Sequence, residues 1–380
     1  MKVLFLNATG QLGGAERVLI CLLRALRCAK PDWKLEVVTG DDGPLVPLLA
    51  GLGFDIHVLA MPERLVRIGE LTSHNPFSLM MAAASAVRYR GQLRALLANR
   101  APDVIHTLNF KMHLLAACSR IPGSRLCWHL HDFVSNRFVT RKLLRLLSRR
   151  PRNVVAISDS VARDMRSVSR APERVQTVLN AVDLDHFSPE GPRWPTNGEL
   201  TVGLIATFAH WKGHEVFLRA VASLPIPVRA FIAGGGLYKT TGSQITLEEM
   251  EAWVVTLGLT GRVTFTGFLE DPAPLLRSLD VVVHASTQPE PFGLTIAEAM
   301  ACGRAVVASM AGGVSEMLQD GVNGLGHTPG DAQGLAHAME RLLRDPELRK
   351  QYGSAAHATA ETLLNPRRMA TEFIQIYAGV

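Results

Sequence analysis

The chain has 380 residues, of which 47% are hydrophobic and 19% charged, a globular composition that excludes a disordered protein and leaves room for two domains. Its five cysteines lack C-x-x-C spacing, which argues against a disulfide framework or a zinc site and favours a reducing compartment. Residues 1–200 carry a net charge of +10 and residues 201–380 one of −4, so two units with different partners are expected.

Short apolar β runs alternate with helical patterns in the first half of the chain. KVLFLNA reads as a buried strand, and apolar residues then recur at helical spacing in GGAERVLICLLRALRC. Further strands are predicted at KLEVVTG, DIHVLA, PDVIHTL, RLCWHLH, NVVAIS and RVQTVLN. This alternation predicts a parallel sheet covered by helices on both faces.

A connector rich in proline and glycine, FSPEGPRWPTNGEL, interrupts the pattern at residues 187–200. The alternation then restarts with strands at LTVGLIAT, VRAFIAGGG, RVTFTGF, DVVVHAS and RAVVAS. The fold class predicted is therefore α/β, with two doubly wound Rossmann-like domains at 1–182 and 183–362 and a C-terminal helix at 363–380. Ligands of such sheets bind beyond the carboxyl ends of the strands.

The common nucleotide-binding motifs are absent. In TGQLGGAER the glycines are wrongly spaced for G-x-G-x-x-G, and no G-x-x-x-x-G-K-[ST] occurs, which disfavours dehydrogenases and NTPases. The segment is either a plain strand-to-helix turn or a helix N-terminus able to accept an anion. Asp183 and Asp185 spell D-x-D, but they lie in the connector, so no metal site is predicted.

The segment QPEPFGLTIAEAMACG places two glutamates, Glu290 and Glu298, around the start of a predicted helix. Thr295 and Glu298 have the spacing of a capping box, which accounts for one glutamate but not for Glu290 between two prolines. At Gly293 the backbone N–H groups of residues 293–295, including that of Leu294, are open to a diphosphate. Carboxylates cannot bind phosphates but can accept bonds from hydroxyls, so the pattern favours a nucleotide-sugar.

EPFGLTIAEAMACG resembles the E-x7-E signature of the retaining glycosyltransferase family 4, whose members have the two-domain GT-B fold. The segments GGAERVLI, HLHDF, LNAVDLDHFSP, WKGHEVFLRA and AGGVSEMLQDGVNG resemble other family motifs and extend the likeness over most of the chain. The resemblance implies two domains facing across a cleft and a final helix that returns to the first domain. One departure is Thr207, which stands where the family usually has an arginine.

The resemblance also implies roles for individual residues. Glu290 is expected to bind the hydroxyls of the donor sugar, Glu298 the ribose, and Lys212 the diphosphate, while His131 should bond the transferred sugar. From the residues alone, a solvated surface lysine is the favoured interpretation of Lys212, and a structural role is the favoured interpretation of His131. The remaining residues expected in the donor site are Gly13, Gly14, Thr207, Gly267, Leu269, Phe292, Gly293, Leu294 and Thr295.

The resemblance implies that the protein transfers a sugar, with retention of the anomeric configuration, to a hydroxyl of a glycan or lipid-linked acceptor. The donor is expected to be a UDP-sugar, because UDP is the commonest donor base in the family, and no metal or cofactor is expected. It would belong to polysaccharide biosynthesis. The alternatives left open are a nucleotide-sugar 2-epimerase and a catalytically weak nucleotide-sugar-binding protein, the latter because of Thr207. A nucleic-acid partner is disfavoured, because the basic half lacks aromatic residues interleaved with its charges.

The basic segment RFVTRKLLRLLSRRPR is the second candidate surface. Arg141, Arg145 and Arg149 follow at helical spacing, with leucines on another face, so the segment is either a helix that lies on an anionic membrane or a docked helix with a solvated basic face. No stretch reads as a membrane span or a signal peptide. A cytoplasmic protein, peripheral at the inner face of the membrane, is therefore expected.

Overall fold

The computed structural model describes residues 1–66, 76–119, 121–236 and 244–379. The chain divides into two compact units, which are treated separately below. Unit 1 comprises Met1–Asn180 together with Arg367–Val380, and unit 2 comprises Ala181–Pro366. Within the described ranges, no helix has both the length and the apolar character needed to cross a bilayer.

Unit 1 is built on a seven-stranded parallel sheet in the order β3-β2-β1-β4-β5-β6-β7. Its strands are β1 (Lys2–Asn7), β2 (Lys34–Thr39), β3 (Asp55–Val58), β4 (Val104–Thr107), β5 (Arg125–Leu130), β6 (Asn153–Ala156) and β7 (Val175–Thr177). Its helices are α1 (Gly14–Ala29), α2 (Leu45–Gly51), α3 (Glu63–Val66), α4 (Pro76–Arg100), α5 (Phe110–Cys118), α6 (Phe138–Leu147), α7 (Asp159–Val168) and, at the chain end, α14 (Pro366–Ala378).

Unit 2 has a six-stranded parallel sheet in the order β10-β9-β8-β11-β12-β13. Its strands are β8 (Thr201–Ile205), β9 (Arg229–Ala233), β10 (Val263–Gly267), β11 (Val281–His284), β12 (Ala305–Ser309) and β13 (Leu325–His327). Its helices are α8 (His214–Ala222), α9 (Leu247–Thr256), α10 (Ala273–Ser278), α11 (Leu294–Ala301), α12 (Ala332–Arg344) and α13 (Pro346–Leu363).

The two sheets confirm the α/β prediction for each unit. All the strands predicted from apolar runs are present, because a strand buried on both faces must be apolar along its length. Residues 3–6 of β1, for example, are completely buried. Strand β13 was not predicted, since its three residues, Leu-Gly-His, carry no recognisable apolar run.

The strand order decides where ligands can bind. In each unit the order reverses beside the first strand, at β1 and β4 in unit 1 and at β8 and β11 in unit 2. The loops that leave these neighbouring strands diverge to opposite faces and leave a crevice at the carboxyl edge of the sheet. In unit 2, the loops after β8 and β11 therefore start side by side, although about 80 residues separate them along the chain.

Helix α14 completes unit 1 although it lies at the far end of the chain. Its side chains Met369, Ala370, Phe373 and Tyr377 are buried, and Phe373 and Tyr377 pack against His106 of β4. One of the helices that cover the sheet of unit 1 thus follows the whole of unit 2 in the sequence.

Candidate functional site

The loop after β11 holds a buried carboxylate surrounded by hydrogen-bond donors. Glu290 is only 5% exposed, and its Oε1 accepts hydrogen bonds from Ser286 Oγ at 2.8 Å and from His284 Nε2 at 3.3 Å. The Lys212 ammonium forms a salt bridge with the same oxygen. Neither His284 nor Ser286 was among the predicted site residues, although both lie in the motif strand and loop that the sequence had singled out.

These donors determine the ionisation of Glu290. Burial alone would raise the pKa of this carboxyl, but the Lys212 ammonium, together with the His284 hydrogen bond, outweighs burial and holds the pKa of Glu290 well below its ordinary value. Glu290 is therefore a carboxylate at neutral pH, and it can act as a hydrogen-bond acceptor for a hydroxyl group.

Lys212 reaches Glu290 because the loop after β8 lies directly against the loop after β11. Gly213 has φ +74°, and a Cβ at this position would lie 1.9 Å from the carbonyl oxygen of Ala285, so only glycine permits the approach. The N–H of Thr287 donates to the carbonyl of Trp211 at 2.8 Å, and Lys212 Nζ lies 4.1 Å from the centre of the Trp211 ring. The backbone thus fixes the lysine beside the carboxylate.

A second glycine loop supports Glu290 from the β12 side. The Gly313 N–H donates to the Glu290 carbonyl at 2.8 Å, and the Glu290 N–H donates to Ala311 at 3.3 Å. A Cβ at Gly312, whose φ is +74°, would lie 2.1 Å from the Glu290 carbonyl oxygen. The orientation of the Glu290 backbone therefore depends on the AGG sequence that precedes Val314.

Helix α11 begins two residues earlier than a capping box at Thr295 would require. Gly293, with φ +92°, is the N-cap, so Thr295 lies inside the first turn and the predicted Thr295–Glu298 capping box is wrong. The N–H groups of Leu294 and Thr295 are first-turn donors with no carbonyl one turn earlier to accept from them. Glu298 is 6% exposed and lies on the buried side of the helix.

The other predicted donor residues of unit 2 lie on loops or at strand ends of the same edge. Phe292 is buried, with 3% of its surface exposed. Gly267 is the last residue of β10, and its carbonyl accepts a hydrogen bond from the Gly234 N–H. Leu269, two residues further along the chain, is half-buried. Thr207 follows β8, and its hydroxyl is buried without a hydrogen-bond partner in the part of the chain that the structure describes. The residues of unit 2 that the sequence assigned to the donor site therefore lie along the carboxyl edge of its sheet or on the loops that leave it.

In unit 1, a side chain of α1 accepts a hydrogen bond from the glycine turn that follows β1. Gly13 is the N-cap of α1 and Gly14 its first residue, and the Gly13 N–H donates to Glu16 at 3.0 Å. Glu16 also accepts from Asn7 at 2.9 Å, and burial raises its pKa. One of the N–H groups that the sequence left open to an anion is thus engaged by a carboxyl group.

His131 follows β5 and stands at the end of a buried group of histidines. Its ring lies 4.2 Å from that of His129, centre to centre. His129 Nδ1 is 3.2 Å from His106 Nε2, and His106 Nδ1 is 2.6 Å from the hydroxyl of Tyr377 on α14. His113 stacks on Trp128 near by. Apart from His131, no sequence pattern singled out these histidines, because histidines within β4 and β5 look like interruptions of a strand.

These histidines are neutral at physiological pH. Burial lowers the pKa of His106 to about 3 and that of His131 to about 4, and it holds the pKa of His113 and His129 well below the ordinary range. The Nε2 atoms of His129 and His131 are buried without a partner among the described residues. A neutral ring has one donor and one acceptor, so His131 can bond a hydroxyl without bringing charge.

Helix α6 carries the basic segment, but it is shorter than the spacing suggested. It ends at Leu147, so Arg149 lies beyond the helix and the predicted i, i+4, i+8 series is wrong at its last member. Phe138 and Val139 are 62% and 65% exposed, and Arg141 and Lys142 lie over the Phe138 ring. The outer face of α6 therefore combines bare apolar side chains with cations.

Two family models match the chain. "Glycosyltransferase Family 4" matches residues 12–186 and "Glycosyl transferases group 1" matches residues 193–359, so together they account for most of both units. Among curated relatives, a lipopolysaccharide core biosynthesis glycosyltransferase, LpsE of Rhizobium meliloti, is 32% identical over 46% of this chain and 48% of the relative. A D-inositol 3-phosphate glycosyltransferase of Mycobacterium avium is 33% identical over 60% of this chain and 57% of the relative.

The matches to these relatives span about half of their length. Among solved structures, Anabaena HepE in complex with UDP and glucose superposes with a TM-score of 0.82 and 26% identity over the whole of both chains. The complex of the same protein with UDP-glucose gives a TM-score of 0.82 and 25% identity. Both its sequence motifs and the α/β architecture of its two units place this chain in the family 4 type of GT-B glycosyltransferases.

Proposed function

We propose that the protein transfers a sugar from UDP-sugar to a hydroxyl of a glycan or lipid-linked acceptor, with retention of the anomeric configuration. The observation that carries the proposal is the ionised Glu290 held beside Lys212 at the start of α11. The complexes of HepE with UDP and UDP-glucose support uracil as the base of the donor.

In this proposal the residues of unit 2 bind the donor. Glu290 accepts hydrogen bonds from the hydroxyls of the sugar, and the first-turn N–H groups of Leu294 and Thr295 hold phosphate oxygens. Lys212 stabilises the negative charge that develops on the diphosphate as it leaves. Glu298 accepts from the ribose, and Phe292, Gly267 and Leu269 shape the surrounding wall.

Donor binding on these terms requires Lys212 to exchange partners. In the structure its ammonium is compensated by Glu290 alone among charged side chains of the described residues. A diphosphate would compete for the ammonium, and the hydroxyls of the sugar would take up the carboxylate oxygens. The charge of Lys212 and the N-terminus of α11 thus neutralise the diphosphate in a reaction that we propose needs no metal ion.

The chemistry of transfer follows from positioning. No side chain of the loop after β11 is placed as a separate nucleophile in this scheme, and the departing phosphate takes the proton of the acceptor hydroxyl on the face from which it leaves. His131, neutral and with an unpartnered Nε2, bonds a hydroxyl of the transferred sugar. The protein contributes orientation and a preorganised electrostatic environment.

The donor assignment is tested by thermal unfolding with UDP, GDP, ADP and dTDP in turn, without added metal. A ligand at 100 times its Kd stabilises the native state by about 2.7 kcal/mol, so a shift with UDP alone is expected. With UDP-glucose in place of UDP, the additional stabilisation from the sugar should be lost in Glu290→Gln and kept in the matched control Glu251→Gln, an exposed glutamate of α9. The absence of a UDP shift would contradict the proposal.

Turnover separates the alternatives. A transferase consumes UDP-sugar in proportion to added acceptor, whereas a 2-epimerase releases a free epimerised sugar without acceptor. A catalytically weak binder, the alternative suggested by Thr207, gives the UDP shift with no turnover. The anomeric configuration of the product, read from the proton coupling in its NMR spectrum, tests retention.

We further propose that the outer face of α6 contacts an anionic membrane surface at which the acceptor resides. The exposed side chains of Phe138 and Val139 can enter the apolar layer of a membrane. The neighbouring cations, Arg141, Lys142 and Arg145, can then contact the acidic lipid headgroups. In this proposal the protein is cytoplasmic and peripheral at the inner face of the membrane.

Sedimentation with phosphatidylglycerol vesicles at low salt tests the membrane contact. Phe138→Ser with Val139→Ser is expected to reduce vesicle binding at least tenfold. The matched control is Val87→Ser with Val255→Ser, which removes two apolar side chains of similar exposure, 64% and 68%, from other helices. Equal binding of the two double variants would overturn the assignment.

A further inference from the structure

Unit 1 contains a cavity of about 670 Å³ at the amino ends of its strands. Arg125 is the first residue of β5, and Arg152 immediately precedes β6. Ile105, Ala116 and Ala117 form part of an apolar floor, and each is at least 97% buried. The cavity is thus built by the fold of unit 1 itself.

The wall of this cavity is strongly basic. It carries one carboxylate, that of Glu173, and five arginines: Arg125, Arg149, Arg150, Arg152 and Arg174. Glu173 lies 3.9 Å from Arg174 and is itself 70% exposed, so it contributes little compensation. The amides of Asn153 and Gln176 complete the polar lining.

Most of these guanidinium groups lack an acidic partner. Among the residues that the structure describes, no carboxylate pairs with Arg125, Arg149, Arg150 or Arg152. Arg174 instead donates at 2.9 Å to the carbonyls of Arg149 and Pro151, which fixes the turn that follows α6. Arg149, which the sequence pattern had assigned to the basic face of α6, therefore belongs to this cavity.

The cavity is distinct from the proposed catalytic edge of the same unit. His131 follows the carboxyl end of β5, whereas Arg125 opens its amino end. Six residues of extended chain separate the two ends by roughly 20 Å. A ligand in the cavity therefore cannot be the reacting sugar held by His131.

We propose that this cavity is a second anion site, which binds a phosphate-bearing ligand and anchors it away from the reacting centre. Neighbouring arginines that have no acidic partner among the described residues repel one another, and an anion removes that repulsion. Planar guanidinium groups bind phosphate through paired hydrogen bonds, more specifically than ammonium groups do. The phosphate belongs either to a free phosphorylated molecule or to the headgroup of a lipid.

The test compares the full-length protein with Arg125→Gln/Arg152→Gln. Calorimetric titration with inorganic phosphate, at matched ionic strength in chloride and with saturating UDP present, is expected to give binding that the double variant weakens at least tenfold. The double variant should also melt no lower than the wild type in low salt without phosphate, since it relieves repulsion. UDP-induced stabilisation should be unchanged, which keeps this test separate from the proposed donor site.

Arg90→Gln/Arg94→Gln, which removes the same charge from exposed positions of α4, is the matched control and should retain phosphate binding. Vesicles of phosphatidylcholine with and without phosphatidylglycerol distinguish the sources. Loss of vesicle binding in Arg125→Gln/Arg152→Gln assigns the phosphate to a lipid headgroup, and loss of phosphate binding alone assigns it to a free molecule. Phosphate affinity equal in wild type and Arg125→Gln/Arg152→Gln would overturn the proposal.

Discussion

The strand order reverses in the same way in the two sheets, but the strands beside the two reversals carry different buried polar groups. In unit 2 the edge holds an ionised pair, Glu290 and Lys212, whose charges compensate each other within a shell of further donors. In unit 1 the corresponding edge ends in buried histidines that carry no charge. One α/β framework can thus present either fixed charges or neutral hydrogen-bonding rings, and the two choices predict different sensitivities to mutation and to pH.

The largest expected effect is on the charged pair. Glu290→Gln keeps the shape of the side chain but removes its charge, and we expect kcat for transfer to fall by about 10²–10³-fold, the range seen when one electrostatic contact to a reacting centre is lost. Turnover of UDP-glucose with acceptor measures this. Glu251→Gln should be unaffected, and wild-type turnover in Glu290→Gln would remove the carboxylate from the mechanism.

The same pair can be examined by a double-mutant cycle in urea unfolding. Removing one partner leaves a largely buried charge uncompensated, so Glu290→Gln and Lys212→Gln should each lower stability. The double variant should be more stable than the sum of the single losses implies. Strict additivity would show that the salt bridge is not a coupled unit.

Gly213→Ala tests the close contact between Gly213 and the Ala285 carbonyl, which positions Lys212 beside Glu290. Gly213 and Gly258 both have positive φ, +74° and +67°, but a Cβ at Gly258 meets nothing within 4 Å. Both substitutions should cost about 1–2 kcal/mol for the left-handed backbone. Gly213→Ala should cost several kcal/mol more and reduce turnover, because Ala285 must move. Equal unfolding free energies for the two variants would contradict the role of the close approach.

Acidification should affect unit 1 more than unit 2. The pKa values of His106, His113, His129 and His131 are lowered by burial, so below pH 6.5 the unfolded chain takes up protons that the folded unit does not, and stability falls as pH falls. Unit 2 has two such histidines, His214 and His327. Glu290, whose folded pKa is lowered, loses its contribution only below its ordinary value of 4.5.

Each buried histidine changes stability by about 1 kcal/mol per pH unit in this window, so unit 1 should lose roughly 2 kcal/mol more than unit 2 between pH 6.5 and 5.5. Hydrogen exchange followed by mass spectrometry can report this, by comparing peptides from β4 and β5 with peptides from β11. If β11 lost its protection from exchange at a higher pH than β4 and β5, the neutral histidines would not determine the acid stability of the protein.

The smallest effect is expected at the chain end. Tyr377→Phe removes the hydroxyl that bonds His106 at 2.6 Å and should cost about 1–2 kcal/mol, because a buried ring nitrogen loses its partner. Tyr352→Phe is the control, since the Tyr352 hydroxyl makes no hydrogen bond to a described residue. UDP affinity should be the same in both, as neither change touches unit 2 strands β8 or β11.

Local patterns were sufficient for every described strand except β13 and for the motif around Glu290. Apolar runs predicted the strands, because buried parallel strands must be apolar, and Gly293 marked the start of α11. The capping box was wrong because glycine can adopt the left-handed N-cap conformation that moves the helix start two residues earlier. Sequence spacing alone does not distinguish these two starts.

Contacts between distant segments were beyond the reach of sequence patterns. Lys212 and Glu290 are 78 residues apart, and their pairing follows from the adjacency of β8 and β11, which is a property of the sheet order. The histidine group and the arginine cavity draw residues from several strands and helices. The family resemblance assigned Lys212 and Glu290 to one site, but for the histidine group and the arginine cavity only an argument from topology, in which strand ends of one polarity share an edge, could bring the residues together in advance.

The placement of α14 has a consequence for how the protein is made. The ribosome releases β4 and its His106 long before it synthesises Tyr377, since the whole of unit 2 is translated in between. At about 5–20 residues per second, the nascent first unit waits on the order of ten seconds or more with part of its apolar surface bare. During that interval the surface of unit 1 that α14 covers stays without its helix, whereas unit 2 has all of its own segments as soon as it emerges.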